Sequence, residues 1–274
     1  MSFANLHQHT HYSLLDGFGS PEKVILRAKE LGYPAIAMTD HGVMYGAIEF
    51  YKAGKKHGVK PIIGCEIYVA RKSRHDKEPA DRLRYHLTLL AETNEGYSNL
   101  MALVTKANLE GFYYKPRVDY ELLKEHSTGI IALSGCLSSH ISKTIISGDI
   151  DEAKKVISMN QEIFGVDNFF LEIQNHPFLE EQLEVNRVNK MLSKELGIGL
   201  VATLDSHYPC PDDAEAHDIL ICMQTQSNVG DEQRMRYSGD FSLKSYEELK
   251  EFFSDVPEAL ENTVKIAERC NVEL

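Results

Sequence analysis

A chain of 274 residues, 43% hydrophobic and 26% charged, has material for one large α/β domain or two small ones. Nothing in it approaches the roughly 20 consecutive apolar residues of a membrane span. Its 41 acidic residues outnumber its 29 lysines and arginines, the reverse of the balance with which a protein grips nucleic acid unaided, unless bound cations offset the deficit. Five widely spaced cysteines without a C-x-x-C pair favour reduced thiols, and no secretory signal opens the chain, so a cytoplasmic protein is expected.

The chain begins with Leu6-His7-Gln8-His9-Thr10-His11, where His7 and His9 have strand spacing and point to one side of an extended segment. Two same-facing imidazoles, then Asp16 after a short loop, are what a divalent ion takes from a strand end; a histidine-rich polar tail is the alternative. Ser20-Pro21 reads as an N-cap with proline at the first helical position, Val24, Ile25, Ala28 and Leu31 keep helical spacing, and Gly32 ends the helix. A buried strand over 34–39 runs into Asp40-His41-Gly42. A helix over 43–57 follows, then a strand region over 59–70 with Glu66 inside an apolar run.

A strand over 85–91 carries His86, and a helix covers 98–109. The strand at 129–134 ends in Gly135-Cys136, and helices are expected over 138–146 and 150–164. A strand at 169–173, a long helix through Leu196 and a strand at 199–204 follow, the last ending in Asp205-Ser206-His207. Beyond Pro211 only helices and loops are expected.

Seven strand candidates separated mostly by helices predict an α/β fold with a parallel sheet, a distorted (β/α)7 barrel closed or nearly closed over 1–210. A helical C-terminal extension occupies 211–274. His9, His41, Cys136 and His207 fall just past four strands, and Glu66 and His86 lie within two more. In a βα barrel the C-terminal strand ends converge on one face, where such folds place their chemistry. Five histidines (His7, His9, His41, His86, His207), three carboxylates (Asp16, Glu66, Asp205) and Cys136 then make nine donors, enough for about three divalent ions with one carboxylate bridging. Mixed ligation of this kind suits zinc or manganese, and clustered ions of this kind serve phosphoester hydrolysis. No G-x-S-x-G elbow or P-loop is present. Glu66 carries the best individual argument, because a carboxylate inside an apolar strand is costly to bury without a cation or donor. Glu172 and His176 read as structural, and Asp40 as orienting a ligand imidazole.

These residues together resemble the PHP (polymerase and histidinol phosphatase) family. The resemblance is strongest to the N-terminal PHP domains of bacterial replicative polymerase alpha subunits. It rests further on Tyr12-Ser13-Leu14-Leu15-Asp16-Gly17, on Gly111-Phe112-Tyr113-Tyr114-Lys115-Pro116-Arg117-Val118-Asp119 and on Pro257-Glu258-Ala259-Leu260-Glu261-Asn262-Thr263, and so covers essentially the whole chain. It implies that His7, His9 and Asp205 hold one ion and that Glu66 bridges it to a second held by His86 and Cys136. A third ion is implied between Asp16, His41 and His207. The ions, zinc, manganese or iron, would activate water through His7, His9, Glu66 and Asp205. Where the family commonly has Asn before the Asp of the last motif, this chain has Leu204.

The implied activity is 3′–5′ exonuclease proofreading or a related phosphoesterase, with a DNA primer 3′ end as substrate and the rest of the polymerase and replisome as partners. Tyr114, Lys115 and Arg117 would sit over the cleft as substrate contacts, and the basic residues Arg71, Lys72, Arg74, Lys77, Arg82 and Arg84 would track a DNA backbone or form a solvated loop. Because the chain stops at Leu274, where the family continues into the polymerase palm, no polymerisation is expected from it alone. Two other readings stand beside this one: a structural domain that braces a polymerase, and a small-molecule phosphatase of the histidinol-phosphate kind.

Overall fold

The computed structural model describes residues 2–14 and 16–274, so Leu15 of the Tyr12–Gly17 motif lies outside the described residues. In chain order the elements are α1 (Pro21–Glu30), β1 (Ala35–Met38), α2 (Ala47–His57), β2 (Lys60–Ala70), β3 (Arg84–Ala91), α3 (Asn94–Leu109), β4 (Arg117–Val118), α4 (Tyr120–Glu125) and β5 (Ile130–Leu133). Then come α5 (His140–Ile146), α6 (Ile150–Phe164), β6 (Phe169–Gln174), α7 (Glu180–Leu196), β7 (Leu200–Thr203), α8 (Ala214–Thr225), α9 (Tyr246–Phe252) and α10 (Pro257–Arg269). Local chemistry accounts for many of the boundaries. Ser20, Thr93 and Ser139 each accept a backbone N–H from the first turn of the helix they precede, and Gly58 and Gly197 end helices in the left-handed region.

The sheet runs β1-β2-β3-β5-β6-β7, with the two-residue β4 added beside β2. It is mixed, which corrects the expectation of a parallel sheet: β3 is antiparallel to both β2 and β5. The connection from β2 to β3, residues 71–83, contains only a short 3-10 turn and no crossover helix, so the chain doubles back as a hairpin. This reversal puts the N-terminal end of β3 beside the C-terminal ends of its neighbours. His86 therefore reaches the same face as residues that lie past strand ends.

The opening segment pairs too briefly to count as a strand, yet it closes the curl. The Ala37 and Thr39 N–H groups donate to the carbonyls of Asn5 and Gln8 on one side, each at 2.8 Å, and the His9 N–H donates to Ser206 O at 2.9 Å on the other. Residues 5–9 thus bridge β1 and the end of β7, with Leu6 buried in the interior and His7 and His9 at the mouth.

A large apolar cluster lies between the strands and the surrounding helices. A second one, built from Leu6, Ala35, Ala37, Ile62, Leu90, Leu133 and Val201, fills the barrel below the mouth and meets Ile266 and Ala267 of α10. The segment after residue 210 does not stand apart. Thr263 accepts the Ala4 N–H, and Asn262 donates to Leu200 O at 2.7 Å. α10 closes the barrel floor, while 235–241 help wall the mouth.

Candidate metal centre

Nine donor residues predicted from six separate stretches of chain meet at the barrel mouth. Glu66 is at the centre. It is 1% exposed, and its carboxylate lies 2.6 Å from His41 Nδ1, 2.9 Å from His86 Nδ1, and 3.5 Å from Nε2 of both His7 and His9. The Cys136 thiol is 3.4 Å from the same carboxylate. Asp205 lies 3.3 Å from His7 Nε2 and 3.1 Å from His9 Nε2, and Asp16 lies 3.3 Å from His41 Nε2. His207 packs its ring 4.5 Å from that of His9. Three groups of donors can each close around a common point: His7, His9 and Glu66; His41, Glu66 and His86; and His9, His41 and His207.

The backbone is shaped to deliver these side chains. Gly42, at φ +65°, turns the chain immediately after His41, and its N–H donates to Glu66 O at 2.8 Å. Gly135, at φ +85°, does the same before Cys136, with its N–H on a Glu172 oxygen at 3.0 Å. Asp205 takes φ +46°, a rare conformation for a residue other than glycine, and so holds its carboxylate toward both opening histidines.

Hydrogen bonds also select which ring nitrogen is free. His7 Nδ1–H donates to Glu172 at 2.7 Å, and His9 Nδ1–H donates to Ser13 Oγ at 2.9 Å. His207 Nδ1–H donates to the Asp205 carbonyl at 2.9 Å. In each case Nδ1 is engaged away from the cluster, so Nε2 is the nitrogen turned toward it, and that of His9 lies 3.1 Å from Asp205 Oδ1. Asp40, expected to orient an imidazole, does so through Ser13, whose hydroxyl donates to it at 2.9 Å.

These donors fit divalent cations. Among the described residues His7 Nε2, His41 Nδ1, Glu66 Oε2 and Asp16 Oδ1 are buried without a hydrogen-bond partner, although they lie among atoms they could reach. His41 Nδ1 and Glu66 Oε2 are 2.6 Å apart without hydrogen-bond geometry, as expected of two groups directed at a shared point rather than at each other. Charge points the same way. Burial would push the Glu66 pKa up, but His86, His41 and His7 outweigh it and hold the carboxyl well below its usual range. Burial would lower His41, but Glu66 and Asp16 raise it to about 9. For Cys136, burial and then Glu66 and Asp205 push the thiol well up. A cation in this position would relieve all three. It would also supply the charge that polarises a phosphoryl group and makes water a competent nucleophile.

The cleft beside the cluster is lined by one arginine and one lysine, Arg84 and Lys115, which flank the Tyr68 ring at 5.5 and 5.6 Å. Of the three expected substrate contacts, only Lys115 lines it. Tyr114 is exposed, with φ +62° and Arg82 over its ring. Arg117 is a correction. It is fully buried, and its guanidinium donates to the carbonyls of Gly111, Asp81, Arg74 and Asp76, so it fastens loops rather than meeting a phosphate. The rest of the basic patch is partly neutralised, with Arg74 on Glu110 and Asp119.

Glu172, structural by its sequence context, has a carboxylate that takes His7, Gln174, Thr203 and the Gly135 N–H together. The signal was the one applied to Glu66, a carboxylate within an apolar strand. Tyr237 and Phe241 at the mouth had no sequence signal.

A barrel mouth walled with buried imidazoles and carboxylates is how hydrolases that work through divalent ions are built. The chain belongs to the PHP domain family, whose pattern matches residues 5–176. Over its whole length it is 46% identical to DNA polymerase III subunit alpha of Treponema pallidum, of which it spans 24%. It is likewise 46% identical to that of Thermus aquaticus, spanning 23%, so it covers about a quarter of these relatives. An amidohydrolase from Chromobacterium violaceum shares the fold, with a TM-score of 0.51 and 16% identity over 76% of this chain and 88% of that one. Among the described residues no helix is long and apolar enough to cross a membrane.

Proposed function

We propose that this chain is the PHP region of a bacterial, cytoplasmic DNA polymerase III alpha subunit and that it hydrolyses phosphodiester bonds at the 3′ end of a DNA primer. The reading is supported by similarity to such subunits across the whole chain and by the intact donor set. The observation that carries it is Glu66, a buried carboxylate approached by four imidazoles and a thiol. His7, His9 and Asp205 would hold one ion, Glu66, His86 and Cys136 a second, and Asp16, His41 and His207 a third. The ions are zinc, manganese or iron. Arg84 and Lys115 would receive the phosphate, and the rest of the polymerase and the replisome subunits are the partners.

Within the cleft this chain's own groups divide the work. Glu172 and Ser13 fix the tautomers of His7 and His9, and Glu66 and Asp205 keep negative charge at the point where cations are needed. Arg84 and Lys115 neutralise and orient the diester. Elemental analysis of protein purified without chelator, paired with hydrolysis of a 5′-labelled mismatched primer, tests this. About three ions per chain are expected, with hydrolysis lost in Asp205→Asn and His9→Ala. Undiminished hydrolysis in both variants would overturn it.

A further inference from the structure

His176, two residues past the end of β6, is 2% exposed and lines the mouth together with Asp205 and His207. Neither of its ring nitrogens has a hydrogen-bond partner among the described residues. Its ring is held from the side by Phe178 and Phe241, with centroids 5.5 and 4.5 Å away, and Phe241 also packs on His207 at 5.9 Å. On the same wall Gln182 donates its amide to Asn186, while its Oε1 is buried without a donor. Two buried polar side chains thus leave three atoms unmatched at one wall, where each unmade bond is costly.

A complementary ligand can be specified from these atoms. A neutral imidazole offers one acceptor and one N–H donor, and Gln182 adds an acceptor. Burial keeps the ring neutral, lowering its pKa to about 4. A phosphate has only acceptors near neutral pH and meets just the ring N–H, whereas a hydroxyl accepts from that N–H and donates its single proton to Gln182 Oε1, meeting two of the three atoms. The cationic lining, Arg84 and Lys115, lies at Tyr68 and not at this wall. We infer that His176 and Gln182, floored by Phe241, form a subsite for the free 3′-hydroxyl of the terminal deoxynucleoside, setting specificity for an unblocked 3′ end. This deepens, and rests on, the phosphodiesterase reading above.

The test uses the metal-loaded chain with 5′-labelled DNA ending in a 3′-hydroxyl or a 3′-deoxy nucleotide. Removing one well-matched buried hydrogen bond is worth about tenfold. The wild-type protein should therefore hydrolyse the hydroxyl-ended strand about tenfold faster. His176→Leu, which suits the phenylalanine surroundings, should bring the ratio to about one with metal content unchanged, and His176→Gln should restore part of it. Binding of thymidine against 3′-deoxythymidine, followed by NMR, reads the subsite without turnover. Preference for thymidine in the wild type and its loss in His176→Leu would sustain the subsite even if no diester were cleaved, an outcome that would sink the phosphodiesterase reading alone. Equal binding of the two nucleosides by the wild type, or an unchanged preference in His176→Leu, would overturn the subsite whatever the hydrolysis.

Discussion

Glu172 accepts a hydrogen bond from Nδ1 of His7 at 2.7 Å, and neither side chain is exposed. This pair decides which nitrogen His7 turns to the cluster and makes that nitrogen more basic. Glu172 is itself pinned by Thr203, Gln174 and the Gly135 N–H, so the ring has little freedom to turn.

Glu172→Gln should therefore lower metal affinity by about 10- to 100-fold while leaving the fold intact. A titration against a competing chelator measures the loss, and far-UV circular dichroism checks the fold. Unchanged affinity would mean that packing alone orients His7.

Much of this centre could be read before the fold was known. His7, His9, Glu66 and the Asp205-Ser206-His207 end were legible because metal donors at strand ends, or inside an apolar strand, are unusual enough to need a reason. The direction of β3 was not legible: 71–83 is long enough to hold a crossover, and periodicity says nothing about which way the next strand runs. Arg117 misled for a related reason. An arginine between Pro116 and Val118 looks like a loop cation, and only the folded chain shows four carbonyls closing around it.

Metal loading should release protons and should tighten as pH rises. His41 is raised to about 9 because Glu66 and Asp16 outweigh the effect of burial, and His7 is raised well above its usual value because Asp205, Glu172 and Glu66 do the same. His41 is therefore protonated at neutral pH in the metal-free protein and His7 is biased the same way, and an ion must displace those protons. Apparent affinity should rise by roughly tenfold per pH unit for each proton released, between pH 6 and about 9. Calorimetry in buffers of different ionisation enthalpy counts the protons, and a pH-independent affinity would show that the histidines are already neutral.

Arg117→Ala should destabilise the chain by about 3 kcal/mol, because four carbonyls lose a charged donor and a buried side-chain volume is emptied. Metal content per folded chain should not change, since Arg117 touches none of the nine donors. Urea unfolding gives the first quantity and elemental analysis the second. A loss of metal with unchanged stability would place Arg117 in the site after all.

Acid stability isolates His176. Burial lowers its folded pKa to about 4, whereas the unfolded side chain titrates near 6.5. As pH falls through 6.5 the unfolded state takes up a proton that the folded state refuses, so stability is lost between about pH 6.5 and 4 and no further below that. Full expression of this shift amounts to about 3 kcal/mol. His176→Leu cannot titrate, so in chelator-treated protein it should gain on the wild type by about that amount between pH 7 and pH 4, altered only by the smaller coupling of His176 to His207 and His7. Parallel stability curves for the two proteins would show that the ring is already charged or already hydrated in the fold.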